Sequence, residues 1–275
     1  MGNQASYNPA REAAEAGRRP DDHELLLLFS LQKRFTSRLV ECPYHVSLLQ
    51  RYWNSMHGNA HNNNPVPFER HAAEWTAIGF TSSNPGDDIR SGGELGLECL
   101  VFFVENYPGE ARMLNRHYGY PFAKAGVAVV RVLMEILHIV AMDGSKGTFP
   151  VQETLYWQLL DSDRSFFQLF AFCLLMFDEL FCEWVSSHGP LPQGSCGTAI
   201  VAQLADQGKA KLLATLRRAP EHLTDLTDLC ANGQILRKNN LKLELDGKKP
   251  KPNAWSKSAP SPTQDLFYGL QQKGH

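Results

Sequence analysis

Apolar residues recur at helical spacing along most of this chain, and clusters of proline and glycine interrupt the pattern at intervals. The most apolar stretch, Phe166 to Phe177, has twelve residues and is followed at once by Asp178 and Glu179. A helix that crosses a bilayer needs about 20 apolar residues, so this stretch predicts a helix buried in a protein core. The whole pattern favours an all-α fold in which several helices share one core.

Helix boundaries are indicated by capping residues and by breakers. Asp21 follows Pro20 and is typical of a capped helix start, and Pro43 interrupts the helical pattern before it resumes. An asparagine-rich stretch from His57 to Pro65 and a turn-rich stretch from Gly79 to Gly93 predict loops. The predicted helices cover residues 21–40, 44–56, 67–77, 94–106, 108–117, 122–142, 151–160, 164–187, 200–219 and 221–231.

The length and composition of the chain are those of one domain with flexible ends. A chain of 275 residues with 43% hydrophobic residues can build a core of about 200 residues. We expect residues 1–20 to form a disordered N-terminal arm, residues 21–235 the helical domain, and residues 236–275 a basic, proline-containing tail. Between positions 237 and 257 the sequence has seven lysines and arginines but only two acidic residues.

Charge and cysteine usage exclude several classes of protein. The net charge of −2 lacks the basic footprint of a nucleic-acid-binding domain, so no nucleic acid partner is expected. The six cysteines are scattered without a CxxC pair, which argues against a disulfide framework and favours a reducing, cytoplasmic location. His57 and His61 fall in the asparagine-rich loop, where a solvated segment is favoured over a metal site. The sequence therefore predicts no metal site and no cofactor.

Motifs of the common catalytic classes are absent from the sequence. Without a GxxxxGK[ST] segment the chain is not itself a P-loop nucleotide hydrolase, and neither HExxH nor GxSxG occurs. No histidine lies at a spacing from a serine or cysteine that is typical of a catalytic pair, although residues distant in sequence can still meet in the fold. We therefore expect a regulator or binding protein without turnover of its own, and an independent enzyme is the weaker alternative.

The first six residues, Met-Gly-Asn-Gln-Ala-Ser, fit the M-G-x-x-x-[ST] pattern for N-myristoylation on Gly2. The same pattern arises by chance in roughly one chain in a hundred. One acyl chain gives only marginal, reversible membrane binding. The basic tail is a candidate second signal, because each lysine or arginine near an anionic surface adds about 1 kcal/mol. The sequence thus predicts peripheral membrane association.

One segment, residues 75–97, combines a helix end, a turn-rich loop and the start of a new helix. Large apolar residues on both sides are expected to fix the loop in the core: Trp75, Ile78 and Phe80 before it, and Leu95, Leu97 and Leu100 after it. Arg90 lies between these anchors. Asp87 and Asp88 precede it by three and two residues and are placed to hold or orient its guanidinium.

This segment resembles the signature of the ELMO domain family, W-x-x-[ILV]-G-F-Q-x-x-x-P-x-T-D-F-R-G-x-G-x-L-G-L. The residues that agree, in register and without gaps, are Trp75, Ile78, Gly79, Phe80, Pro85, Asp88, Arg90, Gly93, Leu95, Gly96 and Leu97. Residues 120–126, Tyr-Pro-Phe-Ala-Lys-Ala-Gly, are similar to the family's Y-P-F-x-x-A-G, and residues 170–184 to its late aromatic helix. The resemblance covers roughly residues 70 to 190 and implies a single multi-helix ELMO-type domain.

The resemblance implies a regulator of small GTPases. Stand-alone members that keep the arginine of this motif act as GTPase-activating proteins for Arf and Arf-like GTPases, whereas large members without it act as adaptors. Because this chain keeps Arg90 and is short, the resemblance implies an activator that supplies Arg90 in trans. The residues implied in GTPase binding are Trp75, Gly79, Phe80, Pro85, Asp87, Asp88 and Gly93. A non-catalytic adaptor that binds a small GTPase or another signalling or trafficking partner is the alternative.

Four residues around Arg90 depart from the family pattern. They are Thr81 in place of glutamine, Asp87 in place of threonine, Ile89 in place of phenylalanine and Ser91 in place of glycine. Asp87 adds a negative charge that can pair with Arg90 and withdraw it, and Ser91 stiffens a glycine position. A second interpretation is therefore that Arg90 bridges to Asp87 or Asp88 and braces the loop, because structural ion pairs also occupy such sites.

Overall fold

The computed structural model describes residues 20–39, 42–58, 64–117, 119–140, 149–151, 154–160, 162–191, 197–218, 223 and 226. Within them the fold is all-α, as the sequence predicts. Every described residue belongs to one compact unit of the chain. The predicted basic tail and residues 1–19 of the predicted arm, with Gly2, lie outside the described residues.

The described residues contain nine α-helices. They are α1 (Asp22–Thr36), α2 (Pro43–His57), α3 (Glu74–Ala77), α4 (Gly86–Ile89), α5 (Gly93–Asn106), α6 (Pro108–Arg116), α7 (Phe122–Ile136), α8 (Asp163–His188) and α9 (Val201–Leu216). Short 3-10 turns cover Arg90–Gly92, Trp157–Leu159 and Gly197–Ile200. The predicted helix over residues 221–231 lies mostly outside the described residues.

Several helix starts have local causes in the sequence. The Asp21 carboxylate accepts from the Glu24 backbone N–H at 2.8 Å, and the Glu24 carboxylate accepts from the Asp21 N–H at 2.9 Å, which makes a capping box for α1. The helical pattern is interrupted between α1 and α2, as predicted, and Pro43 is itself the first residue of α2, because the first turn needs no backbone N–H donor. Ser162 caps α8 by accepting from the Ser165 N–H at 3.3 Å.

Helix α5 lies at the centre of the domain and packs against α1, α2, α7 and α8. Eleven of its 14 residues are buried, as expected of a helix with neighbours on every side. One of them is charged: Glu98 accepts hydrogen bonds from Arg34 Nη1 at 2.8 Å and from the Tyr44 hydroxyl at 2.6 Å. Because a buried charge is costly unless it is paired and hydrogen-bonded, these partners allow Glu98 to occupy the core.

Helix α8 has 26 residues and is the longest in the described part of the chain. By length and composition alone its Arg164–His188 portion passes as a membrane-spanning helix, with a mean hydropathy of 1.6 over its most apolar window. However, 89% of that window is buried inside the domain, where α8 packs against α5, α7 and α9. This packing agrees with the prediction of a buried core helix.

The predicted helix over residues 67–77 is wrong except for its last turn, α3. Aromatic side chains hold the preceding segment in an irregular conformation. The indole N–H of Trp53 donates to the Val66 carbonyl oxygen at 3.1 Å, and that of Trp75 donates to the Glu69 carbonyl oxygen at 2.9 Å. The indoles thus occupy backbone acceptors that a helix would use for its own hydrogen bonds.

The predicted helix over residues 151–160 is also wrong, because its described residues form no α-helix and include the 3-10 turn Trp157–Leu159. The Leu155 N–H donates to the Leu137 carbonyl oxygen at 2.8 Å, which ties this segment to the residue after α7. Tyr156 has a φ of 56°, a left-handed conformation that is incompatible with continuation of an α-helix.

Candidate functional site

The segment that carries Arg90 starts from an aromatic cluster in the core. Trp75 and Phe80 are buried, and their rings meet edge to face with centroids 5.0 Å apart. Tyr52 of α2 stacks on Trp75, and its hydroxyl donates to the Ile78 carbonyl oxygen at 2.8 Å. The predicted anchoring of the loop start by Trp75, Ile78 and Phe80 is confirmed.

Gly79 turns the chain against the connection between α6 and α7. Its φ is 100°, and a Cβ atom there would lie 2.8 Å from Phe122 Cβ and 2.9 Å from Asn115 Oδ1. The Ala123 N–H donates to the Gly79 carbonyl oxygen at 2.9 Å. Only glycine fits both the backbone conformation and the available space, so this residue fixes where the segment leaves the core.

Residues 79–93, predicted as a loop, contain the one-turn helix α4 and the 3-10 turn that follows it. The buried Asp88 of α4 accepts a hydrogen bond from the Thr81 backbone N–H at 2.7 Å and another from the Thr81 hydroxyl at 2.5 Å. These bonds involve a charged acceptor and are stronger than neutral ones, and they join the entry of the segment to α4. The two oxygens of Asp88 thus bind Thr81, not Arg90.

Arg90 and Asp87 form the exposed part of the segment. The side chain of Arg90 is 82% exposed and that of Asp87 is 47% exposed, and Arg90 Nη2 lies 3.6 Å from Asp87 Oδ1. Asp87 is itself held in place, because Ser82 Oγ donates to Asp87 Oδ2 at 3.0 Å and Asn84 Nδ2 donates to Asp87 Oδ1 at 3.1 Å. An ion pair this exposed contributes at most about 1 kcal/mol.

The residues on either side of the 3-10 turn point into the core. Ile89 is 1% exposed, and Gly93 is buried with a φ of 60°. A Cβ atom on Gly93 would overlap the carbonyl oxygen of Phe35 at the end of α1. One residue later, Glu94 Oε2 lies 2.7 Å from His45 Nε2 of α2. The exit of the segment is therefore fixed against two helices of the core.

The structure divides the predicted GTPase-binding residues into a buried group and an exposed one. The buried group consists of Trp75, Gly79, Phe80, Pro85, Asp88 and Gly93. The exposed group is Asp87 alone, which lies on a surface of the segment that also includes Thr81, Arg90 and Ser91. In this conformation the buried group positions the loop and presents little surface, because most of its members are apolar residues or glycines selected by packing. GTPase contact stays a prediction for all of them.

The sequence profile of the ELMO/CED-12 family matches residues 31–189, more than half of the chain. The chain belongs to the ELMO/CED-12 family. The matched region includes the whole Arg90 segment and helices α2 to α8. The family resemblance that residues 75–97 suggest is therefore confirmed.

Individual relatives of this ELMO/CED-12 protein are moderately similar. ELMO domain-containing protein 2 of Homo sapiens is 33% identical over 98 residues, which are 34% of this chain and 32% of the relative. ELMO domain-containing protein B of Dictyostelium discoideum is 26% identical over 124 residues, 42% of each chain. Ankyrin repeat and ELMO domain-containing protein D of the same organism is 24% identical over 152 residues, 53% of this chain and 11% of the relative.

Each of these matches spans less than half of the relative's own length. No solved structure matches the chain. The comparisons therefore concern the domain that contains Arg90.

Three potential metal ligands that the sequence analysis missed come together inside the matched region. His117, just after α6, lies beside Asp178 and Cys182 of α8, and one ligand atom of each lies within 4.8 Å of the others. Burial raises the pKa of Asp178 despite His117, and burial followed by nearby carboxylates raises the pKa of the Cys182 thiol to about 11. The i, i+4 spacing of Asp178 and Cys182 was visible in the sequence, but the approach of His117 was not.

Proposed function

We propose that this protein is a GTPase-activating protein for a small GTPase of the Arf or Arf-like class, and that Arg90 acts in trans on bound GTP. The observation that carries the proposal is the contrast between Arg90 and its surroundings. Arg90 belongs to a segment whose two ends are fixed in the core, yet its side chain is 82% exposed. Family membership and the retained arginine support the same function.

The chemistry required is electrostatic stabilisation. Negative charge is spread over the phosphate oxygens as GTP is hydrolysed, and an arginine supplied by a partner can raise the rate by about 10³–10⁵-fold. Arginine suits this role because it stays protonated and presents a planar fork of N–H donors. An arginine on a fixed backbone segment also costs less to order on binding than one on an unstructured loop.

Each end of the Arg90 segment contributes to this ordering. Asp88 joins α4 to Thr81 through two hydrogen bonds, and the buried Ile89 directly precedes Arg90. Thr81 departs from the family pattern, yet its hydroxyl donates to the buried carboxylate. Ile89, another departure, keeps an apolar side chain in the core. These two substitutions are compatible with an active arginine.

Asp87 is the departure that bears most directly on the proposal. Its pairing distance to Arg90 is 3.6 Å, and both side chains are accessible to solvent. Because exposed pairs are worth at most about 1 kcal/mol, a GTP phosphate group can displace the Asp87 carboxylate from Arg90. We therefore expect Asp87→Ala to leave activation unchanged or to raise it a few-fold.

The test is single-turnover hydrolysis by a panel of GTP-loaded Arf and Arf-like GTPases, with and without the purified full-length protein. We expect strong acceleration with at least one GTPase and a loss of at least about 100-fold in both Arg90→Lys and Arg90→Ala. Arg112→Ala is the matched control, because Arg112 is an exposed arginine on α6. Equal acceleration by wild type and Arg90→Lys contradicts the proposal.

A non-catalytic adaptor is the second candidate, and the bonds of Ser82 and Asn84 to Asp87 favour it. They hold a carboxylate beside Arg90, as a bracing role for the arginine requires. An adaptor would bind the GTP-loaded GTPase without accelerating hydrolysis. Binding and hydrolysis measured on the same panel separate the two functions, because an adaptor should bind the GTP-loaded GTPase while neither wild type nor Arg90→Ala changes the hydrolysis rate.

The proposal also places the protein at a membrane through myristate on Gly2. The M-G-x-x-x-[ST] pattern supports this acylation, and one chain alone gives reversible binding. Mass spectrometry of the N-terminal peptide from cells should show myristoyl-glycine. Gly2→Ala should abolish the modification and shift the protein from the membrane fraction to the supernatant. An unmodified Gly2 or a retained Met1 contradicts the proposal.

A further inference from the structure

His117, Asp178 and Cys182 form a polar cluster at the contact between the end of α6 and α8. Asp178 and Cys182 are four residues apart on α8, so their side chains leave the same face of the helix one turn apart. His117 is the residue that directly follows α6, and its side chain contacts both of them. Their ligand atoms, one from each side chain, all lie within 4.8 Å of one another.

The distances are close to those of a tetrahedral metal site. His117 Nδ1 lies 2.9 Å from Asp178 Oδ1, and Cys182 Sγ lies 3.7 Å from the same nitrogen. Ligands at the usual bond lengths to Zn²⁺ stand about 3.3–3.7 Å apart in a tetrahedron. The sulfur-to-nitrogen distance already fits such a site, and the histidine nitrogen and the carboxylate oxygen need to separate by a few tenths of an ångström.

The atoms that meet argue against a catalytic Cys–His–Asp relay. A relay needs one imidazole nitrogen toward the nucleophile and the other toward the carboxylate. Here the same nitrogen, His117 Nδ1, faces both the Cys182 sulfur and the Asp178 oxygen. Three atoms that converge in this way suit a shared cation better than a proton relay.

A second observation beside the cluster points to a ligand. Tyr120 is 6% exposed, and its buried hydroxyl has no hydrogen-bond partner among the described residues. Its ring packs edge to face on His117 with centroids 6.3 Å apart. A buried hydroxyl without a partner is costly, and a water molecule on a neighbouring metal ion would satisfy it.

We propose that His117, Asp178 and Cys182 bind a Zn²⁺ ion whose fourth position is taken by water. A thiolate, an imidazole and a carboxylate are together the ligands that Zn²⁺ takes in proteins. Cys182 is exposed, which gives the ion a route from solvent. Glu179 and Glu183, which flank Cys182 along α8, add negative charge near the entrance. The site is separate from Arg90 and independent of the proposed GTPase function.

The test is zinc binding by the purified full-length protein after tag removal and chelator treatment. Titration with Zn²⁺ in competition with a chromogenic chelator should show one tightly bound Zn²⁺ ion per protein. Replacing a residue that hydrogen-bonds to a metal ligand weakens metal binding by up to about 100-fold, and replacing the ligand itself should weaken it at least as much. Cys182→Ser and His117→Ala should therefore weaken Zn²⁺ binding by at least about 100-fold. Zn²⁺ should also raise the melting temperature of wild type but not of these variants.

Cobalt and two control variants make the assignment specific. Co²⁺ should give thiolate-to-metal charge-transfer absorption in wild type, and this absorption should vanish in Cys182→Ser. Cys42→Ser and His71→Ala should bind as wild type does, because neither residue belongs to the cluster, and serine can replace Cys42 as the N-cap of α2. The proposal is overturned if the wild-type protein binds no Zn²⁺ ion tightly, or if Cys182→Ser still binds one tightly. Near-ultraviolet circular dichroism checks that each variant is folded.

Discussion

Replacing Gly93 with alanine is expected to destabilise the domain strongly, because both the backbone conformation and the surrounding atoms exclude a side chain. Gly93 has a φ of 60° and a ψ of −159°, a region that costs other residues about 1–3 kcal/mol. A Cβ atom there would overlap the Phe35 carbonyl oxygen and lie 2.8 Å from that of Arg34. Both oxygens belong to the backbone of α1, so relief requires movement of a helix.

The size of the effect follows from these two terms. Forced displacement of packed atoms costs about 1–3 kcal/mol, which together with the backbone term gives a loss of about 2–6 kcal/mol. A domain has only about 5–15 kcal/mol of stability to lose. Since Gly93 also fixes the exit of the Arg90 segment, any folded Gly93→Ala protein should lose GTPase activation as well.

Gly96, three residues later in α5, is the matched control. A Cβ atom there would lie 3.6 Å from Val127 Cγ2 and 3.9 Å from Ile89 Cγ2, which are ordinary contacts. Alanine is favoured over glycine by about 0.8–1.0 kcal/mol inside a helix, so Gly96→Ala should be neutral or stabilising. Urea unfolding followed by circular dichroism measures both variants. A Gly93→Ala protein as stable as Gly96→Ala would refute the reasoning.

Asp88→Asn should cost about 1–3 kcal/mol, because asparagine offers only one acceptor oxygen to the two donors of Thr81 in a buried position. The urea midpoint measures this loss, and Asp87→Ala, on the exposed side, should change stability by no more than about 1 kcal/mol. Stability should also fall above pH 10, because burial first and the charge of Asp88 second hold the pKa of Tyr52 well above 10.0. The Tyr52 hydroxyl therefore ionises at a lower pH in the unfolded chain than in the folded protein. The stabilisation that this difference provides is complete below pH 10, and the free energy of unfolding declines by about 1 kcal/mol from pH 10 to 11. Tyr52→Phe should reduce the pH dependence of the urea midpoint by that amount, and an unchanged dependence would count against the buried tyrosine as its source.

The long helices could be predicted from the sequence because amphipathic spacing and breakers act within one or two helical turns. The predicted helix over residues 94–106, for example, begins one residue late, and that over 164–187 is short by one residue at each end. The failures at residues 67–73 and at the described residues 151 and 154–156 have a different origin. There, partners distant in sequence, such as the Trp53 indole and the Leu137 carbonyl, engage the backbone.

In the Arg90 segment, the sequence by itself determined the cation, the apolar anchors and the family. It did not distinguish Asp87 from Asp88, which are adjacent and chemically identical. Only the tertiary structure decided that Asp88 turns inward to Thr81 while Asp87 stays beside Arg90 at the surface. The reason is that burial depends on what the rest of the fold places over each side chain.

The same distinction applies to the cluster of His117, Asp178 and Cys182. Local spacing put Asp178 and Cys182 on one face of α8, as any helix would. The histidine arrives from 61 residues before Asp178, because the end of α6 lies beside α8. The sequence supplied the ligand types, and only helix packing brought their atoms to one point.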